Sequence, residues 1–406
     1  MNIDRDRLLQ TIDTLGSLGV NETGRSRLAA SDEDKAGRDY VAGLMREAGL
    51  EVVADRIGNL FGVWQDEDNR GRKCVMTGSH IDSVINAGKY DGCLGTLSAI
   101  EVVRTLKENG YRPARPIAVG AFTNEEGVRY QPDMMGSLVY AGDYPLSDAL
   151  NSIGTDGTRL GDELERIGYA GTVEPGFLQP EYFIELHIEQ GPILDVESVS
   201  IGAVENLQGI SWQRVTIIGE QNHAGTTPTH LRKDAGVAAA KVALYLRERA
   251  VTTGKTLATV GTIAFSPNAV NVIPSQAVFT VDLRNPDCAA LKDEEARLRD
   301  FLCALEKNDG VTVECERLSR FDPVLFDEDI VKLVEQSAAA RGFSCRRITS
   351  GAGQDAQMLA RICKTAMIFI PSIRGISHNP AEYSADADVG NGANVLLDVV
   401  QKLCEQ

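Results

Sequence analysis

The 406-residue chain carries 41 basic against 58 acidic residues, a net charge of −17, with 43% hydrophobic and 24% charged residues. That length supports two or three domains and a sizeable core, in the compositional range of an ordinary globular protein. The acidic surplus excludes a broadly basic face for nucleic acid or anionic lipid, and no stretch approaches the roughly 20 apolar residues of a membrane span.

The opening Met1-Asn2-Ile3-Asp4-Arg5-Asp6-Arg7 is polar and leads into helix, so it does not read as a signal peptide. Residues 58–64 and 73–77 read as short apolar strands. Residues 95–108 place Leu97, Ile100, Val103 and Leu106 at helical spacing. Strands at 116–122 and 181–188 follow. This alternation predicts an α/β domain with helices on both faces of a sheet. From 211 the order changes: a strand at 213–218, an alanine-rich helix at 234–249 and strands at 257–265 and 276–283 come first. A helix at 289–305 and a strand at 311–315 complete a β-α-β-β-α-β, ferredoxin-like pattern. Residues 211–322 therefore read as a domain inserted into one formed by 1–210 and 323–406. The latter resumes with a helix at 327–341, a strand at 365–370 and a last helix at 389–403. Eight cysteines without a C-x-x-C pair read as reduced thiols of a cytoplasmic protein, and Cys93 as a small residue at a helix start.

Four of five histidines stand beside glycines, acids and strand ends: Gly78-Ser79-His80-Ile81-Asp82, Leu186-His187-Ile188-Glu189-Gln190-Gly191, Asn222-His223-Ala224-Gly225 and Ser377-His378-Asn379-Pro380. His230 reads as surface loop. With Tyr90-Asp91-Gly92 and Asn124-Glu125-Glu126-Gly127 they form an imidazole–carboxylate set that suits Zn, Mn, Co or Ni. His80 is expected directly after one strand, Glu125-Glu126 after the next and His187 at the end of a third, where open α/β sheets bind ligands. Asp82, two residues from His80 on an extended chain, can orient its imidazole. Asp91 could stand between two metals. In the doublet one carboxylate can bind metal while the other serves as general base, although acids also gather at helix N-termini for their own reasons. His378 alone would read as a solvated loop residue. His223 reaches a substrate only if the domains close or a partner subunit supplies it. Asn271 precedes Val272-Ile273-Pro274, and Arg284 is either a fork for a substrate carboxylate or one half of a surface ion pair.

These motifs, in order over essentially the whole chain, resemble the hydantoinase/carbamoylase branch of the dinuclear metal-dependent amidases, relatives of aminoacylases and aminopeptidases. The resemblance implies a metallopeptidase-like catalytic domain with a mixed sheet and an inserted lid and dimerisation domain. It implies two divalent ions: one on His80, Asp91 and His187, the other on Asp91, Glu126 and His378, with Asp91 bridging. Glu125 would be the general base and Asp82 the carboxylate behind His80. Gln190, His223, Asn271 and Arg284 would bind substrate, with His223 supplied by the partner subunit of a homodimer.

The implied reaction is cleavage of the carbamoyl carbon–nitrogen bond of an N-carbamoyl-L-amino acid, giving the amino acid, carbon dioxide and ammonia. Allantoate amidohydrolase and β-ureidopropionase are the alternatives within the branch. An aminoacylase or peptidase and a non-catalytic binding protein stand further off, because the Leu-His-Ile-Glu-Gln-Gly stretch and the filled ligand positions argue against them. The partner is thus a small ureido or carbamoyl carboxylate. One departure is Gln354 in Ser350-Gly351-Ala352-Gly353-Gln354-Asp355-Ala356, where the family pattern carries histidine. Glutamine keeps hydrogen bonding there but cannot take up a proton near neutral pH.

Overall fold

Fifteen strands follow in chain order. The first six are β1 (Glu51–Ala54), β2 (Leu60–Trp64), β3 (Cys74–His80), β4 (Ile117–Phe122), β5 (Pro180–Ile188) and β6 (Ile201–Leu207). Next come β7 (Gly209–Ile218), β8 (Asn222–His223), β9 (Leu257–Ser266), β10 (Val272–Ile273), β11 (Gln276–Asn285) and β12 (Thr312–Phe321). The last are β13 (Val324–Leu325), β14 (Cys345–Ser350) and β15 (Lys364–Ile370). The computed structural model describes residues 1–406, in two units: Met1–Glu205 with Phe326–Gln406, and Asn206–Leu325.

The first unit is a mixed sheet in the order β1-β2-β4-β3-β5-β15-β6, with β14 paired to β6. Its centre is parallel: β3 with β4, β3 with β5 and β5 with β15. Those four strands are buried almost throughout, which is why apolar runs rather than alternation mark β4, β15 and the starts of β3 and β5. Each fully buried Val, Ile, Leu or Phe there contributes about 1.5–3 kcal/mol.

Helices cover both faces, as β5 shows at adjacent residues. A Cβ on Gly392, in the helix Asp386–Cys404, would lie 2.9 Å from Leu186. Its neighbour Glu185 points the other way and accepts from Ala356 N at 2.8 Å, in the helix Asp355–Leu359. The expected α/β class is what the chain adopts. Two details differ. The strand expected over 73–77 continues through His80, so His80 is the last residue of β3 rather than its sequel. In addition β1, β6, β14 and the short helices Met135–Ala141, Leu146–Leu150 and Leu160–Ile167 had no counterpart in the sequence reading.

The second unit is an antiparallel sheet in the order β12-β7-β11-β9. The helices Ala235–Thr253 and Cys288–Asp309 lie between its strands in sequence, giving a β-α-β-β-α-β order. Alternate residues Val215 and Ile217 of β7 and Ala277, Phe279, Val281 and Leu283 of β11 share one core with Ala238, Val242, Leu298 and Leu302 of the two helices. The two-residue strands β8 and β10 form a separate ribbon.

Candidate metal centre

The four parallel strands put their carboxyl ends at one edge of the sheet, since His80 is in register with Phe122 and His187 with Phe369. The segments that leave this edge carry Asp82 and Asp91, Glu125 and Glu126, Gln190, and His378. Three groups of side chains converge there, each with ligand atoms within 4.8 Å of one another: His80, Asp91 and His187; Asp91, Glu126 and His378; His80, Glu125 and Glu126.

Asp91 stands between two of them. Its Oδ1 is 3.1 Å from His187 Nε2 and 3.6 Å from His80 Nε2, while its Oδ2 is 3.4 Å from His378 Nε2. Glu126 Oε2 lies 3.4 Å from the same His378 nitrogen, and Glu125 Oε2 lies 3.5 Å from His80 Nε2. Asp91 reaches both sides because of the glycine that follows it. Gly92 has φ +63, and a Cβ there would sit 2.4 Å from the His80 ring.

Both buried imidazoles are oriented from behind. His80 Nδ1 is 3.0 Å from the Asp82 carbonyl oxygen and His187 Nδ1 is 2.9 Å from the Ile188 carbonyl oxygen. A carbonyl can only accept, so each Nδ1 carries a proton, and each Nε2 would be the atom offered to a cation at the centre. This corrects the expectation for Asp82. Its carboxylate lies 3.9 Å from His80 Nδ1 and instead accepts the main-chain N–H groups of Glu125 and Glu126, both at 3.2 Å. Those donors follow β4 and point back at β3, so the carboxylate aims the glutamate doublet while its own carbonyl aims the imidazole.

The doublet's loop is further fixed by Asn59 Oδ1, which accepts from Thr123 N at 2.9 Å. Asn124 is held by donation to the Tyr130 and Pro132 carbonyls at 3.0 and 3.1 Å. Asn124 has φ +56, the left-handed conformation that asparagine tolerates, and this turn separates the strand from the two glutamates.

His80 Nε2 and Glu126 Oε1 are buried with no hydrogen-bond partner, a costly state unless a cation completes it. Burial and the neighbouring Asp91 push Glu126 up to about 8. Burial raises Glu125 well above the usual carboxylate range, with Glu126 adding to the shift. Against the penalty of its own burial, contacts from His187, His378 and His80 hold Asp91 well below that range. The hydrogen bond to Asp91 raises His378 to about 9. Three imidazoles and three carboxylates of this kind are the nitrogen and oxygen donors that divalent transition metals take.

Two supporting residues escaped the sequence reading. Glu382 Oε1 accepts from Tyr90 N at 2.8 Å and Asp91 N at 3.3 Å, and its Oε2 accepts from Ser377 Oγ at 3.1 Å. It ties the Asp91 loop to the turn that bears His378. Its place four residues after His378 was the available signal. Ser377 Oγ is also 2.9 Å from Asp91 Oδ2, so its single proton is shared between the two carboxylates. Gln190, expected to meet substrate, donates through Nε2 to the same oxygen at 2.8 Å.

The remaining expected residues belong to the second unit. His223 and Asn271 come together, because Val272 pairs with His223 and Ala224 N donates to the Asn271 carbonyl at 3.0 Å. His223 Nδ1 accepts from Gly225 N and Thr226 N at 3.0 and 3.1 Å, which leaves Nε2–H exposed as a donor. Arg284 is on β11 near its other end, eight residues beyond Gln276, or about 26 Å along the strand. Its guanidinium donates to Asp282 at 2.9–3.1 Å.

Residues 76–402 match peptidase family M20/M25/M40. The chain is 37% identical over 405 residues to an N-carbamoyl-L-amino-acid amidohydrolase of Rhizobium meliloti, covering 99% of this chain and 97% of the relative. It is 34% identical over 415 residues to a ureidoglycolate hydrolase of Oryza sativa subsp. japonica, covering 100% and 86%. The crystal structure of a hydantoinase/carbamoylase family amidase from Burkholderia multivorans superposes with a TM-score of 0.97 at 39% identity, covering 100% and 99%.

Proposed function

We propose that this chain, which belongs to peptidase family M20/M25/M40 and within it to the hydantoinase/carbamoylase amidases, hydrolyses the carbamoyl carbon–nitrogen bond of N-carbamoyl-L-amino acids. The observation that carries the reading is the pair of His/carboxylate groups sharing Asp91, with Glu125 directed at the same centre. His80 and His187 with Asp91 would hold one divalent cation, and Glu126 and His378 with Asp91 a second. Bound there, Zn, Mn, Co or Ni would polarise the carbamoyl oxygen and lower the pKa of water.

The chain's own residues do the rest. Glu125, a carboxyl raised by burial, takes the proton of the attacking water and returns it to the leaving nitrogen. Asp82 keeps that carboxylate in place through the amides of residues 125 and 126. Loss of the carbamoyl group as carbon dioxide and ammonia leaves the free amino acid.

His223, Asn271, Arg284 and Gln190 are the proposed substrate contacts, with the Arg284 fork taking the carboxylate. Within one copy, His223 and Asn271 lie too far from Arg284 for all three to touch one small molecule. That separation supports the reading of the assembly as a homodimer, with His223 supplied by the partner subunit. The surface for a second copy is in the inserted unit: β9 is an unpaired edge exposing Leu257, Ile263 and Phe265. Beside it the helix Ala235–Thr253 exposes Leu244 (70%) and Val251 (68%).

The Oryza sativa relative favours one second reading, ureidoglycolate as substrate, which shares the ureido and carboxylate groups. Ammonia release by Mn²⁺-loaded protein decides between them, on N-carbamoyl-L- and D-amino acids, ureidoglycolate, allantoate and 3-ureidopropionate. Turnover of the L-isomers alone is expected. Turnover of ureidoglycolate alone would move the substrate, and silence on all would overturn the amidohydrolase reading.

A further inference from the structure

We propose that Gln354 is a positioning residue for the metal centre: its side chain fixes the orientation of the Gln190 amide, which in turn holds the shared carboxylate Asp91. The inference rests on the reading of Asp91 as the bridging metal ligand.

Gln354 is 1% exposed and caps the helix Asp355–Leu359 with an extended backbone. Its Nε2 donates to Gln190 Oε1 at 2.7 Å, and Gln190 Nε2 donates to Asp91 Oδ2 at 2.8 Å. The order of these two bonds is what matters. A primary amide has one accepting end and one donating end. Once a buried donor takes the Gln190 oxygen, only its NH₂ end can face the carboxylate. Without a donor at 354 only the carboxylate itself opposes the turned form, which sets the amide oxygen against Asp91 Oδ2.

The Gln190 backbone offers no relief. Its N–H donates to Ser372 Oγ at 3.0 Å, and its φ of +57 is a left-handed conformation the neighbouring turn imposes. The amide's own torsion is thus the free variable, and Gln354 restricts it from the end opposite Asp91. Three segments distant in sequence are joined this way: the loop after β14, the turn after β5 and the loop after β3. Donors behind a ligating carboxylate set which of its lone pairs remain for the metal, and their removal typically weakens metal binding or activity about 10–100-fold.

The test is Mn²⁺ titration of the metal-stripped full chain, as wild type, Q354L, Q354H, Q190L and Q354L/Q190L, with Tm recorded for each. Q354L should weaken Mn²⁺ binding about tenfold, whereas Q354H, whose ring N–H still donates, should stay within about twofold. In the double-mutant cycle Q354L should cost nothing further once Gln190 is gone. Wild-type affinity in Q354L, or additive effects in the cycle, would overturn the relay while leaving the metal reading intact. A wild-type chain that takes up no Mn²⁺ would remove the metal reading and the relay with it. Should Q354L fail to fold, the relay still requires an affinity loss in Q190L and its absence in Q354H, and any other pattern overturns it.

Discussion

The candidate centre of the first unit and the candidate substrate residues of the second are built in opposite ways. His80, Asp91, Glu125 and His187 are buried at the ends of a parallel sheet, each aimed by hydrogen bonds from its own or a neighbouring segment. His223 and Asn271 lie on or beside an exposed ribbon, and Arg284 lies far along a strand, where it donates to Asp282. Buried, over-determined groups suit chemistry that tolerates little displacement, and exposed groups on short elements suit recognition that can vary. Substitutions in the first region should therefore act on kcat and metal affinity, and those in the second on KM and assembly.

The largest break should come from Glu125→Ala, which lowers kcat about a thousandfold through loss of the general base. Metal content, measured by elemental analysis, should stay at the wild-type level. Unchanged turnover would remove Glu125 from the role of base. Next, Glu382→Ala takes away the acceptor for Tyr90 N and Asp91 N and should weaken Mn²⁺ binding about tenfold. Titration with a chelating dye as competitor reads this loss.

Stripping the metal should expose a pH dependence of stability. Burial and the nearby Glu185 push Asp355 up to about 8, and burial with Asp91 pushes Glu126 to about 8 and Glu382 to about 7. Each holds in the folded state a proton that the unfolded chain releases above its ordinary carboxylate range. The stability these groups contribute is thus complete in acid and is lost as pH rises through 7 to 8. Tm of the metal-free protein should fall by about 5 °C between about pH 5 and about pH 8. Added Mn²⁺ should flatten that slope.

In the second region, Arg284→Lys should raise KM about tenfold with kcat little changed, since lysine cannot reproduce a two-point fork. Leu244→Asp on the exposed helix face should act through assembly alone, raising KM to the extent that the monomer loses the partner subunit's His223. It should shift sedimentation toward monomer, and an unchanged dimer would displace the proposed interface.

The sequence showed the centre more clearly than its supports. His80, Asp91, Glu125, Glu126, His187 and His378 were visible because imidazoles and acids stand beside glycines at strand ends. The parallel sheet then brings those ends together. Asp82 was visible as a residue but not in its manner of acting, because spacing on an extended chain does not say whether a carbonyl or a carboxylate meets the ring. Glu382 and the Gln354–Gln190 contact were hidden for a related reason: they act through main-chain amides or across 164 residues of chain, which no local pattern encodes. Short pieces such as β1 and the helix Leu146–Leu150 span too few residues to show a period, whereas β4 is apolar throughout and β5 carries the apolar run Tyr182-Phe183-Ile184.

The most direct test of the account is anomalous X-ray diffraction from crystals of the full chain grown with Mn²⁺. Two anomalous peaks are expected, one among His80, Asp91 and His187 and one among Asp91, Glu126 and His378, with Glu125 bound to neither. A single peak lying away from Asp91, or none at these residues, would contradict it.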